Sequence, residues 1–112
     1  MGSPESWQCT GAAELIAASP EPFSMPGGPI TVVLLHGYTG APAELFLLAE
    51  ALHAQGFGVE APLLVGHGTC LEDLMPVRPH QWLEQIDGVV DRLLGQGQRV
   101  VVAGLSLGSI LA

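Results

Sequence analysis

The sequence contains no lysine and carries few charges of any kind. Three arginines stand against eleven acidic residues, so the formal net charge is -8. Charged residues make up 12% of the 112 residues, against a usual value of roughly 25%. Binding to a nucleic-acid backbone needs clustered cations, and the Walker phosphate loop needs a lysine. The composition therefore argues against nucleic-acid binding and excludes that nucleotide-binding loop.

Long apolar runs, a basic leader and metal-ligand spacing are also missing. The longest apolar stretches, Val32–Leu35 and Val100–Ala103, have the length of strands and fall well short of the ~18 residues of a membrane span. The N-terminus has no basic region, so we expect no secretory signal and a cytoplasmic location. Cys9 and Cys70 lack metal-ligand spacing and are expected to be free thiols. The histidines are scattered, and we expect neither a metal nor a cofactor.

What the sequence does contain is typical of a domain interior. Apolar residues make up 48% of the chain, which also holds 15 glycines. A small domain has a large surface and needs more charge than average, not less.

Residues 1–29 are rich in Pro, Gly, Ser and Ala, and we interpret them as an N-terminal extension with one short strand or helical turn at Glu14–Ala18.

From residue 30 onward, strand-like and helix-like segments alternate. Ile30–His36 and Arg99–Leu105 are continuous apolar runs, which indicates strands that are buried on both faces. Phe57–Ala61 is a shorter strand between them, ended by Pro62. This alternation predicts a parallel sheet with right-handed crossovers, and hence an α/β fold.

Helices with apolar faces are predicted between these strands. The first begins at Pro42, a residue suited to the first helical position, and is closed by Gly56. Glu44 lies in its first turn, where a carboxylate favours the helix dipole. The second helix spans Pro79–Leu94, and a third begins at Ser106. The residues expected on the apolar faces are Leu45, Leu48, Ala49 and Leu52 in the first helix, and Trp82, Ile86, Val89, Val90 and Leu93 in the second.

The strongest motif is the pentapeptide from Gly104 to Gly108, with Ser106 at its centre. It follows a buried strand and opens a helix, which is the setting of a nucleophile elbow. There the serine lies on a strained turn, and a side chain at position 104 or 108 would collide with neighbouring elements. The Leu107 N–H would lie at a helix N-terminus, where it favours a developing oxyanion. The alternative is a serine that merely caps a helix.

A second motif, His36-Gly37-Tyr38-Thr39-Gly40, follows the first strand. The carboxyl ends of parallel strands share one rim, so this loop and the elbow are expected to lie together. The Tyr38 N–H is then a candidate for a second oxyanion donor. For the His36 side chain we favour a buried structural role with bonds to the backbone, because the general base of this arrangement normally follows the serine.

Together these segments make the chain resemble the bacterial carboxylesterase and monoacylglycerol-lipase branch of the α/β-hydrolase superfamily, from about Glu21 to the end. The resemblance implies a three-layer α/β fold in which the strand before the His-Gly loop is central. It implies that residues 30–112 are the N-terminal half of the hydrolase domain. The segments that carry it are Glu21-Pro22-Phe23, Pro26-Gly27-Gly28, Leu34–Pro42, Gly66–Thr69, Glu72–Leu74, Trp82 and Gly104–Gly108.

The resemblance also assigns roles to residues. It implies that Ser106 is the nucleophile and that Tyr38 and Leu107 form the oxyanion hole through their backbone N–H groups. The loop Gly66–Thr69 is similar to one that lies beside the site, and His67 is interpreted as structural. Supporting roles are implied for His36, Gly37, Gly104 and Gly108.

One feature departs from the family pattern. The triad of this family follows the order Ser, acid, His, but only six residues follow Ser106 and none is Asp, Glu or His. A serine without a base is a weak nucleophile, so we expect the 112-residue chain alone to be inactive. The function implied is a serine hydrolase that acts on small-molecule esters or monoacylglycerols through an acyl-enzyme. A thioesterase, acyltransferase or peptidase of the same fold and an inactive truncated product stay open as alternatives.

Overall fold

The computed structural model describes residues 21–69 and 71–112. The element expected at Glu14–Ala18 and the two cysteines, Cys9 and Cys70, lie outside the described residues. In chain order the elements are β1 (Phe23–Met25), β2 (Ile30–Leu35), a 3₁₀ turn (Pro42–Leu45), α1 (Phe46–Ala54), β3 (Gly58–Ala61), α2 (Leu71–Leu74), α3 (Pro79–Gly95), β4 (Arg99–Gly104) and α4 (Leu107–Leu111).

The four strands form one sheet in the order β1-β3-β2-β4. Strand β2 is central and parallel to both neighbours, with Val32 opposite Val59 of β3 and Leu35 opposite Gly104 of β4. The three strands expected from the sequence are therefore present and parallel, and the α/β architecture is confirmed. Strand β1 pairs antiparallel with β3, so the described sheet is mixed at one edge. The sequence analysis placed no strand in that segment.

The core has two parts, one on each face of the sheet. Successive side chains of a strand point to opposite faces, so the apolar run of β2 supplies both parts. The resulting helix-sheet-helix layering explains why β2 is continuously apolar. The buried residues on the α3 side are Val33, Leu35, Leu64, Leu74, Trp82, Ile86 and Leu93, and those on the α1 side are Val32, Leu34, Leu45, Ala49, Val59 and Ala61.

The helix expected from Pro42 differs from the prediction at its start. It begins as a 3₁₀ turn and becomes an α-helix only at Phe46. Within α1, successive residues are about 100° apart around the helix axis, so Leu48 lies at the edge of the face that Ala49 buries. Leu45 and Ala49 are buried as expected, but Leu48 is 49% exposed. The prediction that Leu48 belongs to the core was therefore wrong.

Helix α3 agrees closely with its prediction. Trp82, Ile86 and Leu93 are buried, and Val89 and Val90 pack partly against the same core.

The short element α2 was not predicted, since the sequence indicates no helix there. Among the described residues, β4 forms the second edge of the sheet, and Val101 is 51% exposed there.

Candidate functional site

Ser106 is the second residue of the two-residue corner, Leu105 and Ser106, between β4 and α4. Its backbone has φ 56° and ψ -118°, a conformation that residues other than glycine rarely adopt. The corner is held on the strand side by the Leu105 N–H, which donates to the Leu35 carbonyl oxygen at 3.0 Å. Among the described residues only Thr39 and Ser106 combine a side chain with a positive φ, and both lie in the two motifs. Such conformations cost roughly 1–3 kcal/mol each and cluster at functional sites.

The glycine that follows the serine lets α4 start against the central strand. A Cβ built on Gly108 would lie 2.2 Å from the Leu35 carbonyl oxygen and 2.9 Å from that of His36. Real Cβ atoms essentially never approach a carbonyl oxygen so closely, so only glycine fits at this position. At the other end of the pentapeptide, Gly104 lies opposite Leu35 in the β2–β4 register.

The His-Gly loop lies directly beside the serine. A Cβ built on Gly37 would be 3.4 Å from the Ser106 Cβ, an ordinary contact distance. The loop is closed by the Gly40 N–H, which donates to the Gly37 carbonyl oxygen at 2.9 Å. Tyr38, the residue expected to supply an oxyanion donor, follows Gly37 in this turn, and its side chain is 48% exposed. The two motifs thus meet at the carboxyl ends of β2 and β4.

The His36 side chain is fully buried and connects two loops through its ring nitrogens. The Leu64 N–H donates to Nε2 at 3.0 Å, so Nε2 is unprotonated and the ring proton is on Nδ1. Nδ1–H then donates to the Gly37 carbonyl oxygen at 2.8 Å. Burial lowers the pKa of His36, which agrees with this neutral tautomer. The side chain therefore joins the loop after β3 to the His-Gly loop, as expected for a structural histidine.

A cluster of rings lies beneath the His-Gly loop. His67 is buried and contacts His36, Tyr38 and Trp82, with ring centroids 4.6, 5.9 and 5.9 Å away. Both ring nitrogens of His67 are buried. Burial, and then the neighbouring His36, lower the pKa of His67. These contacts place the Gly66–Thr69 loop beside the site.

Helix α3 fixes the loop that follows β3. The Trp82 Nε1–H donates to the Val65 carbonyl oxygen at 2.9 Å. Gln85 accepts from the Val65 N–H at 2.9 Å and donates to the Leu63 carbonyl oxygen at 2.7 Å. These three bonds attach the loop to the helix and so position His67 against Tyr38. The apolar spacing predicts Trp82 in the core, as found, but no pattern in the sequence indicates the contacts of Gln85.

Glu44 has a contact that the sequence analysis did not foresee. It was interpreted as an acidic residue that favours the dipole of the first helix, and it does lie in the 3₁₀ turn. Its Oε1, however, accepts the Gly37 N–H at 3.1 Å. The signal in the sequence was an acidic residue one turn beyond a loop with two glycines, a spacing that lets the side chain reach back to free backbone donors.

The arrangement is suited to acyl transfer. It combines a serine on a strained corner with backbone N–H groups at the start of a helix and in an adjacent glycine loop, the donors that an oxyanion requires. Within the described ranges no three His, Cys, Asp or Glu side chains form a group that could hold a metal ion. In the same ranges, no helix has the length and apolarity needed to cross a membrane.

The chain matches one family model and is similar in sequence to two curated proteins. The family model described as "Alpha/beta hydrolase family" matches residues 32–112. The chain is 38% identical over 96 residues to a thermostable monoacylglycerol lipase from Bacillus sp. (strain H-257), covering 86% of this chain and 38% of the relative. It is 35% identical over 95 residues to a carboxylesterase from Bacillus subtilis (strain 168), covering 84% and 39%.

Two solved structures are similar as well. One comes from work on LipS and LipT, two metagenome-derived lipolytic enzymes, with a TM-score of 0.77, 31% identity, and 83% of this chain and 38% of that chain covered. The other is a thioesterase domain from the curacin biosynthetic pathway, with a TM-score of 0.67, 34% identity, and 81% and 34% covered. The chain thus spans little more than a third of the length of the proteins it matches.

Proposed function

The chain belongs to the α/β-hydrolase family, and from that premise we propose that it carries the nucleophile and oxyanion loop of a serine hydrolase that cleaves carboxylic esters. The observation that carries the proposal is the strained corner at Ser106, placed against Gly37 of the His-Gly loop. A helix cap needs neither a positive φ at the serine nor a glycine loop so near that a Cβ added to it would contact the serine. The alternative of a simple cap is therefore less well supported.

The proposed reaction has two steps. The Ser106 hydroxyl oxygen attacks the acyl carbon of the ester, its proton passes to a general base, and the carbonyl oxygen becomes an oxyanion. The backbone N–H groups of Tyr38 and Leu107 stabilise that oxyanion, the alcohol leaves with a proton, and an acyl-enzyme results. Water then attacks the acyl-enzyme, releasing the carboxylic acid and restoring the Ser106 hydroxyl.

The general base comes from outside the six residues that follow Ser106. In the triad order of this family, the histidine and the acid that orients it follow the serine, and residues 107–112 include neither. The two buried histidines near the site are poor substitutes, since both ring nitrogens of His36 are bonded to the backbone and the nitrogens of His67 are buried. We therefore expect the 112-residue chain alone to hydrolyse esters very slowly.

The proposed substrates are small-molecule esters, including monoacylglycerols. The names of the two relatives, monoacylglycerol lipase and carboxylesterase, support this class. The half-exposed ring of Tyr38 offers apolar surface for an acyl group at the rim of the site. No charged group of the kind that would select a phosphorylated or strongly anionic substrate is supplied by the His-Gly loop or the elbow.

The test is ester hydrolysis by the protein that carries this sequence, at its natural length. We expect p-nitrophenyl esters and monoacylglycerols to be hydrolysed, and Ser106→Ala to lower kcat at least about a thousandfold, as loss of a triad member does. Ser24→Ala is the matched control, because Ser24 lies on β1 and bonds to Glu60 far from the site. Equal rates for Ser106→Ala and the unaltered protein would refute the proposal.

A thioester hydrolase is the second candidate. The structural similarity to the thioesterase domain from the curacin pathway favours it, and residues up to the elbow do not distinguish the two. Matched acyl esters and acyl thioesters, assayed on the same preparation, separate the candidates. Thioesters are intrinsically more reactive than esters, so the kcat/KM for each substrate is compared with its uncatalysed hydrolysis rate. A larger rate enhancement for the thioester would favour the thioesterase.

A further inference from the structure

Glu44 is joined to the His-Gly loop by more than one contact. Its Oε1 accepts the N–H of Gly37, the residue on which an added Cβ would lie 3.4 Å from the Ser106 Cβ, at 3.1 Å. The same carboxylate lies across Gly40, where an added Cβ would be 2.2 Å from Oε1 and 2.6 Å from the carboxyl carbon. Glu44 therefore touches both ends of the turn that contains Tyr38.

The backbone holds Glu44 in place for this role. It lies in the 3₁₀ turn that begins at Pro42, and its N–H donates to the Ala41 carbonyl oxygen at 3.1 Å. Pro42 is buried and has a fixed φ. The side chain is thus presented from a rigid turn, seven residues beyond the amide it binds.

The loop has reason to need such a contact. Thr39 has φ 63°, a strained value for a β-branched residue, and strained conformations persist only where neighbouring groups fix them. Within the turn itself, one hydrogen bond, from the Gly40 N–H to the Gly37 carbonyl oxygen, closes the loop. The bond from the Gly37 N–H to Glu44 is therefore a second point at which this loop is held.

From this geometry we propose that Glu44 is a positioning residue for the oxyanion hole: by accepting the Gly37 N–H and packing on Gly40, its side chain fixes the turn that presents the Tyr38 N–H. This inference rests on the proposed function, which gives Tyr38 its role. Glu44 itself does not touch the substrate. A carboxylate next to a developing oxyanion would repel it, so what matters is the place of its acceptor oxygen, not its charge.

Two conservative variants distinguish the position of the Glu44 acceptor oxygen from the charge of its carboxylate. Glu44→Gln keeps an acceptor oxygen at the same reach and removes the charge, whereas Glu44→Asp keeps the charge and withdraws the carboxylate by one methylene. Glu44→Ala removes both. Glu50→Ala, an exposed glutamate on α1, is the matched control.

The first readout does not depend on catalysis. Hydrogen exchange of the Gly37 amide, followed by NMR in the natural-length protein, should accelerate at least about tenfold in Glu44→Ala and Glu44→Asp, because the acceptor is lost. Glu44→Gln and Glu50→Ala should leave it within about threefold. Unchanged exchange in both Glu44→Ala and Glu44→Asp overturns the inference, whatever the activity of the protein.

The second readout is kinetic. Misplacing one oxyanion donor should lower kcat by roughly 10- to 100-fold with little change in KM, because the donor acts mainly in the transition state. We expect this for Glu44→Ala and Glu44→Asp, and rates within about threefold of the unaltered protein for Glu44→Gln. A Glu44→Gln variant as impaired as Glu44→Ala would overturn the positioning role. If instead Ser106→Ala leaves activity intact, the proposed function is refuted. The exchange rate of the Gly37 amide still tests the Glu44 contact in that case.

Discussion

Gly108 lies against the end of the central strand, so close that a Cβ on it would be 2.2 Å from the Leu35 carbonyl oxygen. The same carbonyl oxygen accepts the Leu105 N–H. The corner that carries Ser106 is thus held on both sides by Leu35, the last residue of β2 before the His-Gly loop begins. The serine and the loop take their relative positions from one point of the sheet.

Gly108→Ala should destabilise the fold. The obstructing atom is a backbone oxygen at the carboxyl end of the central strand and cannot move cheaply, so we expect a loss of about 1–3 kcal/mol in the free energy of unfolding. Gly88→Ala is the matched control, since Gly88 lies in α3 with no atom within 4 Å of an added Cβ. That substitution should stabilise by about 0.4–1 kcal/mol. Urea unfolding of the natural-length protein measures both, and a Gly108→Ala variant as stable as the unaltered protein would contradict this packing.

The strain at Ser106 predicts that Ser106→Gly is more stable than Ser106→Ala. This is the reverse of the order expected at a position in an ordinary extended strand. Glycine adopts a positive φ without strain, whereas alanine keeps the strain of about 1–3 kcal/mol. After the larger entropy loss of glycine, about 0.5–1 kcal/mol, Ser106→Gly should still be roughly 1 kcal/mol more stable than Ser106→Ala.

Ser24 in the extended strand β1 provides the control for that order. There glycine has no conformational advantage, so Ser24→Gly should be less stable than Ser24→Ala by about 0.5–1 kcal/mol. The same order at both positions, measured by urea unfolding, would show that Ser106 is not strained.

The two buried histidines predict a loss of stability in mild acid. Burial lowers the pKa of His36 and of His67 below the ordinary 6.5, so below that pH the unfolded chain binds more protons than the folded one. Their contribution to stability is therefore fully present above about pH 6.5 and is lost as the pH falls through the folded pKa values. The free energy of unfolding, measured in urea between pH 7.5 and 5, should decrease over this range.

His67→Phe isolates one half of that effect. It keeps the ring contacts with Tyr38 and Trp82 but removes the titrating nitrogens, so the decrease should become shallower. His80→Gln, at an exposed position on α3, is the matched substitution of a histidine outside the ring cluster. An unchanged slope in His67→Phe would contradict the lowered pKa of His67.

The elements that the sequence predicted well are those whose pattern reflects their own burial. Strand β2 is apolar at every position because it supplies both faces of the core, and α3 shows Trp82, Ile86 and Leu93 at helical spacing. The sharp corner at Ser106 was predictable because Ser106 and Gly108 answer a local steric demand. The positive φ of Ser106 and the close approach of Gly108 to Leu35 show that demand in the structure.

The features that the sequence did not reveal depend on strand pairing, on the width of a buried face and on loop geometry, none of which a residue pattern specifies. Strand β1 is three residues long and exists through its pairing with β3, which its own composition does not signal. Leu48 is exposed at the edge of the apolar face of α1, and apolar spacing does not specify how wide the buried face is. The role inferred for Glu44 depends on how tightly the loop turns back on itself, and residue spacing alone does not specify that turn.

The most direct test of the central claim is the site at which an activated-serine probe attaches. The natural-length protein is treated with a fluorophosphonate and digested with trypsin, and the adduct is located by fragment-ion mass spectrometry. Because Ser109 lies in the same tryptic peptide as Ser106, the fragment ions must separate the two. We predict an adduct on Ser106, none in Ser106→Ala, and none on the 112-residue chain alone. An active protein labelled at another serine, or left unlabelled, would contradict the account.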